Sequence, residues 1–178
     1  DVKTETELAS LADARNGTRP CPYVALSFLG VRASLLTACE GHGLQVWELP
    51  AGKMIRALRA RRTTDGPITD PRLITVSPDG SRVACVYDDF SIRVWDPDSG
   101  AEVRRLDLQI NVHHAFALSP DGATLAFGDR HVVRLWRFGG EEAPPPVEGH
   151  ASEVVSILVL PDGRTLYTGS RDGVVHAW

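Results

Sequence analysis

The sequence predicts an all-β protein made of one repeated unit, and two sets of landmarks indicate the repeat. Four tryptophans recur at intervals of 48, 41 and 42 residues: Trp47, Trp95, Trp136 and Trp178. Pro-Asp-Gly turns stand 14 or 15 residues before the last three tryptophans, counted from the turn glycines Gly80, Gly122 and Gly163. Because independent landmarks keep the same spacing, a repeat architecture is favoured over chance.

The Pro-Asp-Gly turns predict β-hairpins. Proline presets φ for the first corner of a type I turn, aspartate takes the second, and glycine accepts the left-handed conformation that closes the hairpin. Short β-branched runs flank the turns at 73–77 and 82–87, 115–119 and 124–127, and 154–160 and 165–168. Third strands are predicted to end at the tryptophans, over 44–47, 92–95, 132–136 and 174–178. Runs that are apolar on both faces indicate small sheets sandwiched between neighbours.

A fourth strand is predicted after each internal tryptophan. The segments ELPAGKMIRAL and DPDSGAEVRRL align without gaps, and the opening segment DVKTETELASL fits the same frame. Leu11 of the opening segment then aligns with Leu58 and Leu106. Residues 1–15 are therefore predicted to form an outer strand, with a short helix over 5–15 as the alternative, because that stretch contains good helix formers.

These residues resemble the WD-repeat β-propeller family over essentially the whole chain. The resemblance rests on the Gly149-His150 pair, the Pro-Asp-Gly turns, the turn that holds Asp172, and the Trp95-Asp96 dipeptide. It implies four propeller blades that form part of a larger propeller. The implied divisions are an outer strand of a preceding or last blade at 1–15, then blades at 16–60, 61–108, 109–149 and 150–178, the last without its outer strand.

The resemblance also implies a structural hydrogen-bond network of histidine, serine or threonine, aspartate and tryptophan in each blade. Only the last blade has the full set: His150, Thr168 or Ser170, Asp172 and Trp178. The second blade keeps Asp89 and Trp95 but has Pro67 at the histidine position. At the aspartate position, the first blade has Gly41 and the third has Arg130, and Gln109 replaces the third histidine.

Composition argues against several classes of partner. The chain is 43% apolar and 24% charged, with a formal net charge of −4, whereas nucleic-acid and anionic-membrane proteins carry clustered basic faces. No apolar run is long enough to span a bilayer. The cluster of Arg59, Arg61 and Arg62 lacks interleaved aromatics and is interpreted as a solvated loop. Basic residues are nearly all arginine, which suggests a GC-rich, bacterial source.

No enzyme, metal or cofactor chemistry is predicted. A nucleophile elbow is absent from the sequence, and Asp88-Asp89 is better explained as a turn than as an acid–base pair. Adjacent residues on a strand point to opposite faces, so His113 and His114 are poorly placed to share one ion. Without a CxxC pair, the cysteines are expected to be free, buried thiols: Cys21, Cys39 and Cys85.

What remains is recognition of another protein or peptide. In propellers, turns between second and third strands share one rim with the blade-to-blade connections. The predicted partner-binding rim is of mixed charge: Glu40, Asp70, Asp88, Asp129, Arg130, Glu153 and Arg171. We therefore expect a non-enzymatic, cytoplasmic interaction scaffold, cut from a larger protein, whose open propeller edges allow self-association. The alternative is a regulatory or sensor module attached to a catalytic domain such as a bacterial Ser/Thr kinase.

Overall fold

The computed structural model describes residues 23–29, 33–59, 70–107, 115–139 and 146–178. All regular secondary structure in these ranges is β, arranged as four antiparallel sheets, which confirms the predicted fold class. Nowhere in these ranges is there a helix long and apolar enough to cross a membrane. Residues 1–15, Cys21, Arg61, Arg62, Pro67, Gln109, His113 and His114, for which the sequence made predictions, lie outside the described residues.

We call the four sheets blades 1 to 4, in chain order. Blade 1 contains β1 (Tyr23–Phe28), β2 (Ser34–Cys39), β3 (Gly43–Glu48) and β4 (Lys53–Leu58). Blade 2 contains β5 (Pro71–Val76), β6 (Val83–Tyr87), β7 (Ser91–Trp95) and β8 (Glu102–Asp107). Blade 3 contains β9 (Phe116–Leu118), β10 (Thr124–Asp129), β11 (Val132–Arg137) and β12 (Val147–Glu148). Blade 4 contains β13 (Val154–Val159), β14 (Leu166–Ser170) and β15 (Val175–Ala177).

The Pro-Asp-Gly turns close the first hairpin of blades 2, 3 and 4. In blade 2 the N–H of Gly80 donates to the carbonyl of Ser77 at 2.7 Å, and the N–H of Ser77 donates to the carbonyl of Arg82 at 2.9 Å. Gly80, Gly122 and Gly163 have φ of 74°, 64° and 67°, the left-handed conformation that the sequence predicts for them. The conformation of each turn could thus be predicted from its proline, aspartate and glycine.

Apolar side chains hold consecutive blades together face to face. Leu36, Leu44 and Val46 of blade 1 pack in one cluster with Val83, Cys85 and Trp95 of blade 2. The opposite face of blade 2 packs through Ala84, Val86, Ile92 and Val94 on Leu118, Leu125 and Phe127 of blade 3. Blade 3 contributes Ala126 and Val133 to a cluster with Val154 and Leu166 of blade 4. Each fully buried leucine, isoleucine or valine stabilises such an interface by roughly 2 kcal/mol.

The two end blades leave apolar surface uncovered. On blade 4, Leu158, Tyr167 and Val175 are 56%, 39% and 68% exposed. Leu158 pairs with Tyr167, and Val175 pairs with Gly169 two residues further along β14, so the three side chains share one face of the sheet. On blade 1, Leu26 and Phe28 of β1 are 66% and 65% exposed.

Blade 3 differs from the others in one turn. Asp129 pairs with Val132, so two residues separate β10 from β11, whereas three residues separate the paired Cys39 and Gly43 in blade 1. Trp136 nevertheless pairs with Leu125, the third residue after its turn glycine, as Trp95 pairs with Val83 in blade 2. The missing turn residue accounts for the spacing of 14 rather than 15 between glycine and tryptophan.

The cysteine prediction was wrong for Cys39. Cys85 is free and buried in β6, as expected, and its burial raises the pKa of the thiol. Cys39 at the end of β2 is disulfide-bonded. Disulfide pairing depends on Cα atoms approaching within about 7 Å, a property of the fold that an odd count of widely spaced cysteines does not reveal.

Candidate interaction rim and the network that supports it

Blade 4 contains a chain of hydrogen bonds centred on Thr168. The Trp178 indole Nε1–H donates to Thr168 Oγ1 at 2.9 Å, and Thr168 Oγ1 lies 2.7 Å from His150 Nε2. Indole can only donate, so the Thr168 hydroxyl accepts from Trp178 and forms its second hydrogen bond with His150 Nε2. Thr168 is 1% exposed, so water cannot replace its hydroxyl. This one hydroxyl is the hydrogen-bond partner of both the Trp178 indole and the His150 imidazole.

Asp172 anchors the turn between β14 and β15 to the start of the blade. Its carboxylate accepts from the N–H groups of Val174 and Ala151, each at 2.8 Å, and Oδ2 lies 3.5 Å from His150 Nδ1. The Val174 N–H lowers the pKa of the Asp172 carboxyl, partial burial opposes this, and the Ala151 N–H adds to the lowering. Ser170 Oγ accepts from the Asp172 N–H at 3.3 Å. The four residues predicted for this network therefore lie together.

A glycine and a second histidine complete the same site. A Cβ on Gly149 would lie 2.5 Å from the Trp178 ring, so only glycine allows the backbone to pass the indole this closely. The His176 ring lies 4.6 Å from that of His150 and 5.2 Å from that of Trp178. His176 was not predicted as a member of the site.

Blade 1 retains half of this arrangement. The Trp47 Nε1–H donates to Thr37 Oγ1 at 2.9 Å, and both residues are buried. Thr37 precedes Trp47 by ten residues, as Thr168 precedes Trp178. The hydroxyl–indole bond is thus present in two of the four blades, although Gly41 stands at the aspartate position in blade 1.

Blade 2 replaces the network with a buried arginine. Arg93 is 3% exposed; its guanidinium donates to Asp89 Oδ2 at 2.8 Å and to Ser91 Oγ at 3.0 Å. The guanidinium carbon lies 4.5 Å from the centre of the Tyr87 ring, in cation–π contact. Burial opposes ionisation of Asp89, but hydrogen bonds from Ser91 and the charge of Arg93 outweigh it and lower the pKa of this carboxyl.

The Trp95 indole of blade 2 lacks the hydroxyl acceptor that the indoles of blades 1 and 4 have. Trp95 Nε1 is buried without a hydrogen-bond partner, and Cys85 occupies the position that Thr37 and Thr168 hold in their blades. A buried donor left unsatisfied costs about 1–3 kcal/mol. The thiol is a weak acceptor, and Cys85 Sγ instead lies 3.4 Å from the carbonyl of Val86.

Cys85→Thr is therefore expected to stabilise blade 2. The new hydroxyl would accept from Trp95 Nε1, and the free energy of unfolding should exceed that of Cys85→Val by about 1 kcal/mol. Valine matches threonine in shape and offers no acceptor, so the comparison isolates the hydrogen bond. Urea unfolding followed by tryptophan fluorescence measures the difference. Equal stability of the two variants would show that the indole does not use this position.

Blade 3 has neither arrangement. Because its turn is one residue shorter, Phe127 rather than Ala126 occupies the threonine position, which therefore offers no hydroxyl to Trp136. The Trp136 ring packs edge-on against Phe138 at 5.0 Å. Asp129 Oδ2 accepts from Arg134 Nε at 2.7 Å, and the Asp129 side chain is only 12% exposed. An ion pair thus closes this turn.

Sequence reasoning missed one position in every blade. The residue two before each tryptophan carries hydrogen-bonding chemistry: Gln45, Arg93, Arg134 and His176. Arg93 and Arg134 pair with turn carboxylates, and His176 packs on the blade 4 network. The signal was available, since two residues along a strand return to the same face as the tryptophan.

Two of the predicted rim residues, Asp70 and Arg130, make hydrogen bonds between consecutive blades. Asp70 Oδ1 accepts from the Gly41 N–H at 2.5 Å, across the junction of blades 1 and 2. Within blade 2, Asp70 and Asp88 exchange two hydrogen bonds, Asp88 N–H to Asp70 carbonyl and Asp70 N–H to Asp88 Oδ1, both at 3.1 Å. The carbonyl of Arg130 accepts from the Val154 N–H at 2.7 Å, which joins blades 3 and 4.

Several charged side chains of the predicted rim already have partners within the protein. Arg171 Nε donates to Glu153 Oε2 at 2.7 Å, and the Arg171 N–H donates to the Glu153 carbonyl at 2.9 Å. Asp70, Asp88 and Asp129 are held by the contacts described above. Glu40, Arg130 and Arg171 are the exposed members of the predicted set, and Arg130 adopts a left-handed φ of 57°. Over the part of the chain that the structure describes, no group of three or more His, Cys, Asp or Glu side chains could hold a metal ion.

Known proteins resemble the chain in sequence. The WD domain, G-beta repeat family matches residues 60–96 and 145–178. Autophagy-related protein 16 of Arabidopsis thaliana is 30% identical over 79% of this chain and 27% of its own length. Small ribosomal subunit protein RACK1y of Oryza sativa subsp. japonica is 26% identical over 82% of this chain and 43% of its own length. Target of rapamycin complex subunit wat1 of Schizosaccharomyces pombe is 34% identical over 51% of this chain and 29% of its own length.

The fold likewise resembles a solved structure. The structure of U3-55K superimposes with a TM-score of 0.72 at 18% identity, over 90% of this chain and 50% of that one. The chain spans less than half the length of the three sequence relatives and half of this structure. Repeat spacing, four stacked antiparallel sheets and these matches agree. The chain belongs to the WD40-repeat family.

Proposed function

We propose that the chain is a non-enzymatic scaffold that binds another protein or peptide through the rim. The observation that carries the proposal is the way the rim is built. Its turns are fixed by hydrogen bonds within and between blades, such as Asp70 to Gly41, so the exposed groups stand on a rigid base. Loops of mixed charge on a rigid scaffold are suited to recognise a complementary polar surface.

Two relatives give this proposal further support. By name, one is a small ribosomal subunit protein and another is a subunit of a target of rapamycin complex, so both are parts of larger assemblies. Membership of an assembly requires binding surfaces for other macromolecules. For this chain we propose Arg130 and Arg171 as the exposed cationic contacts of the rim and Glu40 as an anionic one.

A pair of double variants tests the rim. Arg130→Asn with Arg171→Gln removes two charges from the rim, and asparagine tolerates the left-handed φ at 130. Arg104→Gln with Arg137→Gln removes the same charge from exposed strand positions outside the rim. Proteins bound from an extract of the source cells are quantified by mass spectrometry on all three baits.

We expect at least one protein to bind the Arg104→Gln/Arg137→Gln variant with the affinity it has for the unchanged chain. Its affinity for the Arg130→Asn/Arg171→Gln variant should be about tenfold lower, a loss of about 1.4 kcal/mol in binding free energy. The affinity of that purified protein for each bait is then measured by calorimetry. If every bound protein responds equally to the two variants, the rim is not the binding surface. Unchanged circular dichroism of both variants serves as the folding control.

The cytoplasmic location stays a prediction. The disulfide at Cys39 weighs against it, because such bonds persist mainly in oxidising compartments. Counting free thiols in protein isolated under alkylating conditions would show whether that bond forms in the cell.

A further inference from the structure

We propose that Phe90 and Arg130 form a two-point site for an extended peptide that carries an apolar side chain and, three residues away, a carboxylate. The site deepens the proposed rim function, on which it rests, by naming the chemistry of the partner. Phe90 was not in the predicted rim set, although it lies in the same turn as Asp88.

The backbone of both residues is left-handed. Phe90 has a φ of 60° and Arg130 a φ of 57°, and they are the two non-glycine residues with positive φ in the part of the chain that the structure describes. An L side chain in this conformation crowds the neighbouring carbonyl oxygen, and a bulky residue such as phenylalanine rarely adopts it. Phe90 lies in the turn between β6 and β7, and Arg130 in the equivalent turn between β10 and β11.

The turn itself does not need a phenyl group. In blade 4 Gly173 takes the place of Phe90 and has a φ of 81°, a conformation that glycine adopts without cost. The N–H of Gly173 donates to the carbonyl of Ser170 at 3.1 Å. The N–H of Phe90 makes the same bond to the carbonyl of Tyr87, also at 3.1 Å. Phe90 thus keeps a backbone strain that glycine would remove, and such strain is typical of binding sites.

The core does not need the Phe90 ring either. Phe90 is 46% exposed, and among the described residues it belongs to none of the three apolar clusters. A single exposed apolar side chain is ordinary in soluble proteins, but one held on left-handed backbone is not. Because aromatic rings and arginines contribute most to binding at protein interfaces, Phe90 is suited to pack on an apolar side chain of a partner.

Arg130 presents a positive charge in the next blade. It is exposed, and its guanidinium forms no ion pair with any carboxylate that the structure describes. Its neighbours differ, because Arg134 pairs with Asp129 and Arg171 pairs with Glu153. A guanidinium binds a carboxylate through two parallel hydrogen bonds, so the ligand expected at Arg130 is an aspartate or glutamate of the partner.

The charges beside Phe90 set the orientation of such a peptide. Asp88 and Asp89 directly precede Phe90. The Asp89 carboxylate is paired with Arg93, and that of Asp88 accepts from a backbone N–H. Like charges brought together disfavour a complex, so an anionic side chain is excluded from the surroundings of the phenyl ring. The carboxylate of the peptide is therefore directed toward Arg130.

The distance between blades selects the conformation of the peptide. Phe90 and Arg130 are the left-handed residues of equivalent turns in consecutive blades, and stacked sheets lie about 10 Å apart. A polyproline II segment has about three residues per turn and rises about 3.1 Å per residue, so side chains three residues apart share one face at about 9 Å. In a β-strand, side chains on one face recur every two residues, at about 7 Å. The polyproline II spacing matches the two contacts better.

Fluorescence polarisation with a labelled peptide, Gly-Ser-Leu-Pro-Pro-Glu-Ser-Gly, tests the site. We expect Phe90→Gly to weaken its binding about tenfold and Arg130→Asn about threefold, since exposed ion pairs contribute less than apolar anchors. Ile55→Ala and Arg104→Gln, at exposed positions outside the rim, should bind it like the unchanged chain. A peptide that lacks one proline, and so has the wrong spacing, should bind the unchanged chain about tenfold more weakly.

Control peptides show which side chains meet. Replacing the leucine of the peptide by alanine should weaken binding to the unchanged chain but not to Phe90→Gly. Replacing its glutamate by glutamine should weaken binding to the unchanged chain but not to Arg130→Asn. Effects that are the same on all chains, or a probe that binds no better than the control peptides, would overturn the two-point site.

The site and the proposed rim function can fail separately. Proteins from cells that lose affinity for Arg130→Asn/Arg171→Gln but bind Phe90→Gly normally would keep the rim function and reject the site.

The melting temperature of Phe90→Gly separates a binding role of the ring from a structural one. Relief of the left-handed strain should offset the lost partial burial of the ring, so we expect a melting temperature no lower than that of the unchanged chain. A drop of more than about 4 °C would show that the ring is held for stability, which contradicts its role as an anchor.

Discussion

Arg93→Met is expected to lower the free energy of unfolding by about 3 kcal/mol, because it removes one partner of a largely buried ion pair. Methionine keeps the length of the aliphatic part of the side chain. The change in the free energy of unfolding therefore reports the contribution of the guanidinium group. Asp89 would lose its 2.8 Å partner and Tyr87 its cation–π contact. Since the Asp89 side chain is 25% exposed and keeps the Ser91 hydrogen bonds and the Arg105 contact, the loss falls at the low end for such pairs.

Arg105→Met is the matched control for this prediction. Arg105 lies 3.6 Å from the same carboxylate but is 39% exposed, and an exposed pair of this kind contributes about 0.5 kcal/mol. Urea unfolding gives both values, and hydrogen exchange of β6 and β7 localises the loss to blade 2. Equal losses for the two variants would mean that burial of Arg93 contributes nothing to stability.

Thr168→Val is expected to destabilise blade 4 by about 2–3 kcal/mol, because two polar groups lose their partner while the shape of the side chain is kept. The Trp178 indole N–H and His150 Nε2 both bind the Thr168 hydroxyl. The His150 side chain is 1% exposed, so water cannot readily replace the lost bond. Faster amide exchange in β13, β14 and β15 is the expected signature.

The comparison for this change is Thr165→Val in the preceding turn. Thr165 Oγ1 donates to Asp162 at 2.8 Å, but that aspartate is exposed, so water replaces the lost bond and we expect a much smaller loss than for Thr168→Val. If Thr165→Val accelerates exchange in blade 4 as much as Thr168→Val does, the central role of Thr168 is wrong.

Much of the fold followed from short-range chemistry. The turn glycines adopt the left-handed φ that proline, aspartate and glycine specify locally, and strands were located to within a few residues by periodicity. The disulfide at Cys39 was missed because pairing depends on distances between segments far apart in sequence. Sequence spacing also concealed the shift in blade 3, since the shorter turn places Phe127, not Ala126, at the position that threonine holds in blades 1 and 4.

The supporting network was predictable only where it was complete. The four residues named for blade 4 lie together, because each belongs to a turn or strand position that the repeat defines. Arg93 could not be recognised in the same way, because it substitutes a different chemistry for the absent histidine and threonine. The partner-binding role of the rim residues stays a prediction, and the sequence gave no sign that the Asp70 carboxylate would accept from the Gly41 N–H.

Among the residues that the structure describes, each apolar cluster is shared by two consecutive blades and by no others. Free energy in such a row is a sum of single-blade terms and nearest-neighbour terms, as in a one-dimensional Ising chain. Arg93→Met and Thr168→Val lie in blades that share no cluster, so their effects should add, whereas paired changes in blades 2 and 3 should not. Thermodynamic coupling in this protein therefore has a range of one blade.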